Sequence, residues 1–216
     1  MVESSGPPRE EAIISAAHRR FAHYGYSKTT MDEIAGDLGM GKASLYHYFP
    51  TKEALFCAVI GREQDSFIFL AESLVDGIGP AGEKLHAYVD RRLDFFHNAL
   101  ILGKFSFDTF SSIRPAMAAL SVEFARRELH ILCAVLQRGI SQGEIAADNP
   151  DQLSKLFLHI LQGLRFRAFR SGIGEPFNDQ QFEELRSETR LATTIFLRGL
   201  HPPVKGVPLN SGTFSR

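Results

Sequence analysis

The chain has 216 residues, 44% of them hydrophobic and 23% charged, which is the make-up of a globular protein with a sizeable core and excludes disorder throughout. Its formal net charge is −1, so no overall basic field points to nucleic acid or to an acidic membrane surface, and such a partner has to be argued from local residues. Cys57 and Cys133 lie far apart without C-x-x-C spacing, which argues against a disulfide framework or a thiolate metal site and for a reducing compartment.

The opening MVESSGPPREE carries acids and prolines where a signal peptide needs a basic start and an apolar run. No uninterrupted apolar stretch reaches the roughly 18 residues of a bilayer span. The expectation is a soluble, cytoplasmic protein without a membrane partner. Apolar residues recur at helical spacing, and turn-bounded runs rich in Val, Ile and Thr are scarce, which predicts an all-α fold. Residues 1–8 and 201–216, rich in Pro, Gly and Ser, read as loose tails.

The first helix is expected over 9–24, with Pro8 near its first turn and Glu10 and Glu11 where the helix dipole favours acids. Ile13, Ile14, Ala17, Phe21 and Tyr24 share one face; Gly25 suits the left-handed position after the helix, and Tyr26 can fold back behind it. Thr30-Met31-Asp32-Glu33 is a capping box, so a second helix begins there, burying Met31, Ile34, Ala35 and Leu38 and ending at Gly39. A short third helix over 42–48 follows, with Gly41 at its cap position and Pro50 closing it. Thr51 caps a fourth helix running to about residue 74, and glycines and Pro80 then break the chain. Later helices are expected over 83–102, 115–142, 150–170 and 179–200, two of them opened by an Asn three residues before a Gln.

The stretch GDLGMGKASLYHYF, Gly36 to Phe49, has two readings. Gly36, Gly41 and Lys42 fit G-x-x-x-x-G-K, a phosphate loop. That loop needs a preceding strand, a long following helix and Ser or Thr directly after the Lys, whereas the residues before Gly36 are a capped amphipathic helix and Ala43 follows Lys42. The other reading is two short helices joined by a glycine-containing turn, a helix-turn-helix whose second helix can enter a major groove. Phe21, Gly25, Tyr26, Thr29, Thr30, Ile34, Ala35, Gly39, Leu45, Tyr46, Tyr48, Phe49, Lys52, Glu53 and Leu55 follow in the order of a known pattern. From Arg9 to Val59 the chain resembles the DNA-binding domain of the tetracycline-repressor (TetR) family. Gly41 departs from that pattern by replacing the usual Ser cap, and Ala43 by replacing a frequent Gly.

The resemblance implies a headpiece over 9–56, a larger effector-binding and dimerisation domain over 57–200, and DNA contact at Lys42, Ser44, Tyr46, His47 and Tyr48. Lys52 is placed for a backbone phosphate, and Thr29 and Thr30 lie where the second helix meets the backbone. Residues 1–60 carry six Lys or Arg against seven acids, but 39–52 carries Lys42 and Lys52 and no acid. The positive charge is local.

Broad apolar stripes mark the last two helices: Leu153, Phe157, Ile160, Leu161 and Leu164 on one, Leu185, Ala192, Ile195 and Phe196 on the other. The resemblance implies that these helices pair with their symmetry mates in a homodimer, while the plain alternative is that the stripes face their own core. A phenylalanine-rich middle, Phe95, Phe96, Phe107, Phe110 and Phe124, joined by Arg165 and Phe166, is the candidate lining of an effector pocket. Glu83, His86 and Asp90 share a helical face but read as solvated, and no metal, cofactor or catalytic residue is expected. The expected function is a repressor, binding palindromic double-stranded operator DNA as a homodimer and released by a small hydrophobic or aromatic effector. The alternative is a helical interaction protein that keeps the fold without binding DNA; enzyme signatures such as G-x-S-x-G and H-E-x-x-H are absent from the sequence.

Overall fold

The computed structural model describes residues 9–103, 113–171 and 178–202. Among these, eight α-helices and no strands are found: α1 (Arg9–Tyr24), α2 (Met31–Asp37), α3 (Lys42–Tyr48), α4 (Lys52–Asp76), α5 (Ala81–Gly103), α6 (Ala118–Ser141), α7 (Pro150–Ser171) and α8 (Asp179–Gly199). The all-α expectation stands.

Local chemistry sets most helix starts. At α2 the Glu33 amide donates to Thr30 Oγ1 at 3.3 Å while the Thr30 amide donates to Glu33 Oε2 at 2.8 Å, so two orphan donors are satisfied reciprocally. Asn178 and Gln181 do the same for α8, Thr51 Oγ1 accepts from the Ala54 amide at α4, and Asn149 Oδ1 accepts from the Gln152 amide at α7. Gly25 and Gly39 adopt φ of 85° and 58°, a region that costs a side-chain-bearing residue about 1–2 kcal/mol, and both stand where a helix must stop and turn.

Two expected boundaries move. The sixth helix starts at Ala118 rather than Pro115, because residues 114–117 form a turn, and the fifth starts at Ala81 rather than Glu83, where the Ala81 amide finds Glu144 Oε2 at 2.6 Å. Tyr24, expected on the buried face of α1, is 48% exposed and lies beneath the Arg20 guanidinium, 5.4 Å from it. Residue 24 is at the fraying end of α1, beyond the reach of the core that holds Phe21.

Apolar burial divides into two cores. The first joins α1, α2, α3 and the start of α4 through Ile13, Phe21, Ile34, Leu45 and Phe56; it reaches past residue 56 to Ile60 and takes in Ile113. The second lies among α4 to α8, around Ile68, Leu85, Tyr88, Leu132 and Phe157. Helix α4 serves both, burying Leu55, Phe56, Val59 and Ile60 in the first and Phe67, Ile68 and Ala71 in the second. Arg62 on the same helix donates to Glu11 and Ser15 of α1, at 2.9 and 2.8 Å. A continuous 25-residue helix is about 37 Å long and stiff, so the two cores are mechanically joined through it.

Candidate nucleic-acid interface and buried cavity

Helices α2 and α3 are joined by a turn in which Gly39 takes the left-handed conformation and the Met40 amide donates to the Ala35 carbonyl at 3.0 Å. Leu45 and Phe49 anchor α3 on the first core, which leaves Lys42, Ser44, Tyr46, His47 and Tyr48 exposed on the other side. Helix spacing produces this division: one short helix has two residues to spend on packing and the rest face outward. Gly41 caps α3 with extended backbone and no side-chain bond. Arg9, at the start of α1, closes a shallow groove with Gly41, Ser44, His47 and Tyr48. The sequence gives no local signal for Arg9, since only the packing of α1 beside α3 places it there.

Four of the candidate DNA-contacting residues, Thr29, Thr30, Lys42 and Lys52, have hydrogen-bond partners in the folded chain. Thr29 is fully buried and its hydroxyl donates to the Gly25 carbonyl at 2.9 Å, so its side chain has no surface to offer a phosphate. Lys52 is half-buried, donating to the carbonyls of Tyr26 and Thr29 at 3.0 and 3.1 Å; this is a clamp across the loop before α2. Lys42 is exposed but bonded to Asp32 at 2.9 Å, and that bond raises the lysine pKa. Asp32 therefore offsets the cation at the start of α3. Thr30 is exposed at the amide end of α2, with its amide and hydroxyl both bonded to Glu33. Behind the pair of helices, Arg20 grips Asp37 with two bonds of 2.6 and 2.7 Å, fixing α1 against α2. The arrangement is a rigid helix-turn-helix with one exposed face of Lys, Ser, Tyr and His.

A second site lies in the larger domain. A cavity of about 170 Å³ is bounded by α4, α5, α6, α7 and α8, and of the residues anticipated there Phe95, Phe96, Phe124, Arg165 and Phe166 do line it. Phe107 and Phe110 lie outside the described residues, as does Asp108. Of the other polar residues in these runs, His97 is stacked on Phe182 with centroids 3.9 Å apart, and Asn98 and His130 are exposed. Sequence reasoning missed Phe56, Ile60 and Gln64 of α4, and also Arg92 and Glu128. A signal for the last two existed: each is a charged residue falling on the apolar stripe of its helix, Arg92 four residues after Tyr88 and Glu128 four after Phe124.

Arg92 and Glu128 are 4% and 0% exposed. Arg92 Nε donates to Glu128 Oε1 at 2.5 Å, Arg92 Nη2 approaches Oε2 at 3.4 Å, and the Tyr88 hydroxyl donates to Oε1 at 2.6 Å. Burial disfavours the Arg92 charge, but Glu128 and Tyr88 outweigh it and raise its pKa; burial and Glu128 both push the Tyr88 hydroxyl well above its ordinary value. Each oxygen of the carboxylate thus has a partner within the cluster. Among the described residues no group of three or more His, Cys, Asp or Glu is placed to hold a metal, and Asp90 instead accepts two bonds from Arg190 at 2.8 and 2.9 Å.

The stripes of α7 and α8 separate into two faces. Phe157, Leu161 and Leu185, anticipated at a dimer contact, are at most 3% exposed and belong to the second core. Leu153, Ile160, Leu164, Ala192 and Phe196 are half-buried, and only Ile195 of the anticipated set is open, at 61%. Leu156, Phe166 and Leu191 join it on the exposed side of the same two helices. An amphipathic stripe wider than one face looks the same in sequence whichever part is covered by the chain itself.

Helix-turn-helix geometry at one end and a cavity-bearing helical domain at the other define a transcriptional regulator of the two-domain type. The family described as bacterial regulatory proteins, tetR family, matches residues 13–59. Over 89% of this chain and 98% of the other, the fold superposes on a transcriptional regulator from Cytophaga hutchinsonii with a TM-score of 0.81 and 36% identity. RutR, an HTH-type transcriptional regulator of Escherichia coli, is 33% identical over 72 residues, 33% of this chain and 34% of that protein. YhgD, an HTH-type regulator of Bacillus subtilis, is 24% identical over 158 residues, 73% of this chain and 83% of that protein. The match to RutR thus spans about a third of that curated relative's length. The chain belongs to the TetR family of DNA-binding transcriptional regulators. Among the described residues no helix is long and apolar enough to cross a membrane.

Proposed function

We propose that the protein is a repressor that binds an inverted-repeat operator as a homodimer and leaves it when a small effector enters the cavity between α4 and α8. The observation that carries this reading is the sharing of Phe56. Its ring packs on Phe21 and Tyr26 of the headpiece, at centroid distances of 5.2 and 5.1 Å, and the same side chain lines the cavity together with Ile60. Tyr26 in turn lies under the Lys52 ammonium, which holds the loop leading into α2. An effector that displaces α4 at Phe56 therefore acts on the residues that set the tilt of the headpiece. In a dimer a small tilt changes the spacing of the two reading helices, and half-sites roughly 34 Å apart tolerate little of it.

Dimerisation is supported by the open apolar side of α7 and α8, where Leu156, Phe166, Leu191 and Ile195 are each at least 49% exposed. Two headpieces also suit a domain with so few cations, because linking weak modules multiplies their affinity. The test is gel retardation with DNA from upstream of the protein's own gene, with and without candidate effectors. A discrete complex on an inverted repeat, lost on adding an effector, is the expected outcome. Failure to retard any such fragment would instead favour a helical interaction protein that has kept the fold, a reading to which the Lys42–Asp32 pair lends weight.

A further inference from the structure

Among the described residues that line the cavity, three are arginines, Arg92, Arg114 and Arg165, and one is a carboxylate, Glu128; Arg114 is exposed at the rim. Both oxygens of Glu128 are taken by Arg92 and Tyr88. Arg165, one turn after the core residue Leu161 on α7, enters the same cavity and has no counter-ion of its own among the described residues: its Nε is sealed from solvent and lacks a hydrogen-bond partner there. Its Cζ lies 4.0 Å from the centroid of Phe96, whose ring also carries the Arg92 guanidinium at 4.6 Å. Stacking on an aromatic face stabilises a guanidinium but does not satisfy its in-plane N–H donors, of which Nε is the one both buried and unpartnered. Burial and the neighbouring Arg92 charge bring the Arg165 pKa down to about 10, still high enough to keep it charged at neutral pH. The residue as a whole is half-buried, but a buried donor without a partner is costly, which makes this an arrangement suited to a ligand that supplies an acceptor.

We propose that the cavity recognises a carboxylate, with Arg165 as the residue that binds its oxygens and the phenylalanine walls as the seat of its apolar body. This deepens the effector reading above and rests on it for its regulatory meaning. A guanidinium presents parallel donors matched to two carboxylate oxygens, so the pairing is both charge-neutralising and directional. Much of the rest of the wall is aromatic, with Phe95, Phe96, Phe124, Phe166 and Phe182, and Gln64 and Gln162 are among its few polar residues, which favours a ligand with an apolar body. A dry cavity of about 150 Å³ takes a benzene ring, so this one of about 170 Å³ admits an aryl group or a short alkyl chain.

Isothermal titration of the full-length protein with 3-phenylpropanoate and octanoate, against the uncharged 3-phenylpropan-1-ol and 1-octanol, tests the assignment. The wild type is expected to bind at least one carboxylate about tenfold or more tighter than its alcohol. Arg165→Met should abolish that preference while leaving alcohol binding within about threefold, and Arg165→Lys should retain part of it. Unliganded Arg165→Met should melt no lower than wild type, since a buried unpartnered donor has gone. Equal binding of acid and alcohol by the wild type, absence of binding by all four probes, or a preference that survives in Arg165→Met would each overturn the assignment. Operator retardation separates the two claims. Release by acid and alcohol alike supports effector control and overturns carboxylate selectivity, whereas Arg165-dependent carboxylate binding without release supports the site and overturns effector control.

Discussion

The Lys52 ammonium lies 4.4 Å from the centroid of the Tyr26 ring and donates to the Tyr26 and Thr29 carbonyls, so one side chain from the start of α4 closes the loop between α1 and α2. The same loop carries the cap of α2, and Tyr26 is fixed from below by donating its hydroxyl to Glu53 at 2.8 Å. Lys52 is therefore expected to act on DNA binding through the shape of the headpiece.

Replacing Lys52 by Ala should destabilise the protein by about 1–3 kcal/mol, the range for charge-assisted hydrogen bonds, and weaken operator binding without altering its salt dependence. Chemical denaturation and a salt titration of operator binding check the two halves. A salt slope reduced by about one counterion per headpiece would show Lys52 on a phosphate instead.

Residues on the open face of α3 should separate by kind. Lys42→Ala is expected to weaken all DNA sequences alike and flatten the salt slope by about one counterion per headpiece, and Asp32→Asn, which frees Lys42, to tighten them. Changes at Tyr46 or His47 should instead shift preference among operator variants by about 1–3 kcal/mol per lost base contact. Binding measured on a panel of single-base operator variants distinguishes them.

The two faces of α7 and α8 should respond oppositely to a buried charge. Ile195→Glu or Leu191→Glu, at 61% exposed positions, is expected to leave the fold intact and lower dimer affinity by about tenfold or more. Leu161→Glu, 2% exposed, should lose about 3 kcal/mol or more of folding stability. Sedimentation velocity and thermal melting report the two effects, and Ile195→Glu still dimeric at sub-micromolar concentration would place the contact elsewhere.

The headpiece should be acid-sensitive. Bonds from the Thr30 backbone and side chain lower the Glu33 pKa, and the bonds from Arg20 lower that of Asp37. Because the folded values lie below the unfolded ones, this stabilisation is complete above the unfolded pKa values of 4.5 and 3.8 and is lost as pH falls through the lowered values. Helix content followed by circular dichroism should fall across that window in wild type. Glu33→Gln, which keeps the reciprocal capping geometry, should shallow the transition, and an unchanged profile in Glu33→Gln and Asp37→Asn together would refute it.

Much of the headpiece was legible in the chain itself because its determinants are short-range. The Thr30–Glu33 box, the helix stop at Gly39 and the division of α3 into Leu45 inside and Tyr46, His47 and Tyr48 outside all follow from spacings of one turn or less, as does the Asn178–Gln181 box of the larger domain. Tertiary packing decided the rest. Thr29 and Lys52 fit a DNA-contact pattern equally well before and after one knows that their polar groups are consumed by the carbonyls of residues 25, 26 and 29. The stripes on α7 and α8 could not be divided between core and open surface, since hydrophobic periodicity records that a face is covered and says nothing of which molecule covers it. The same limit hid the charge balance of the cavity: Arg92, Glu128 and Arg165 stand on three helices far apart in sequence. Whether a charge is paired depends on distances of a few ångströms in a low-dielectric interior, which only the packing of α5, α6 and α7 against one another sets.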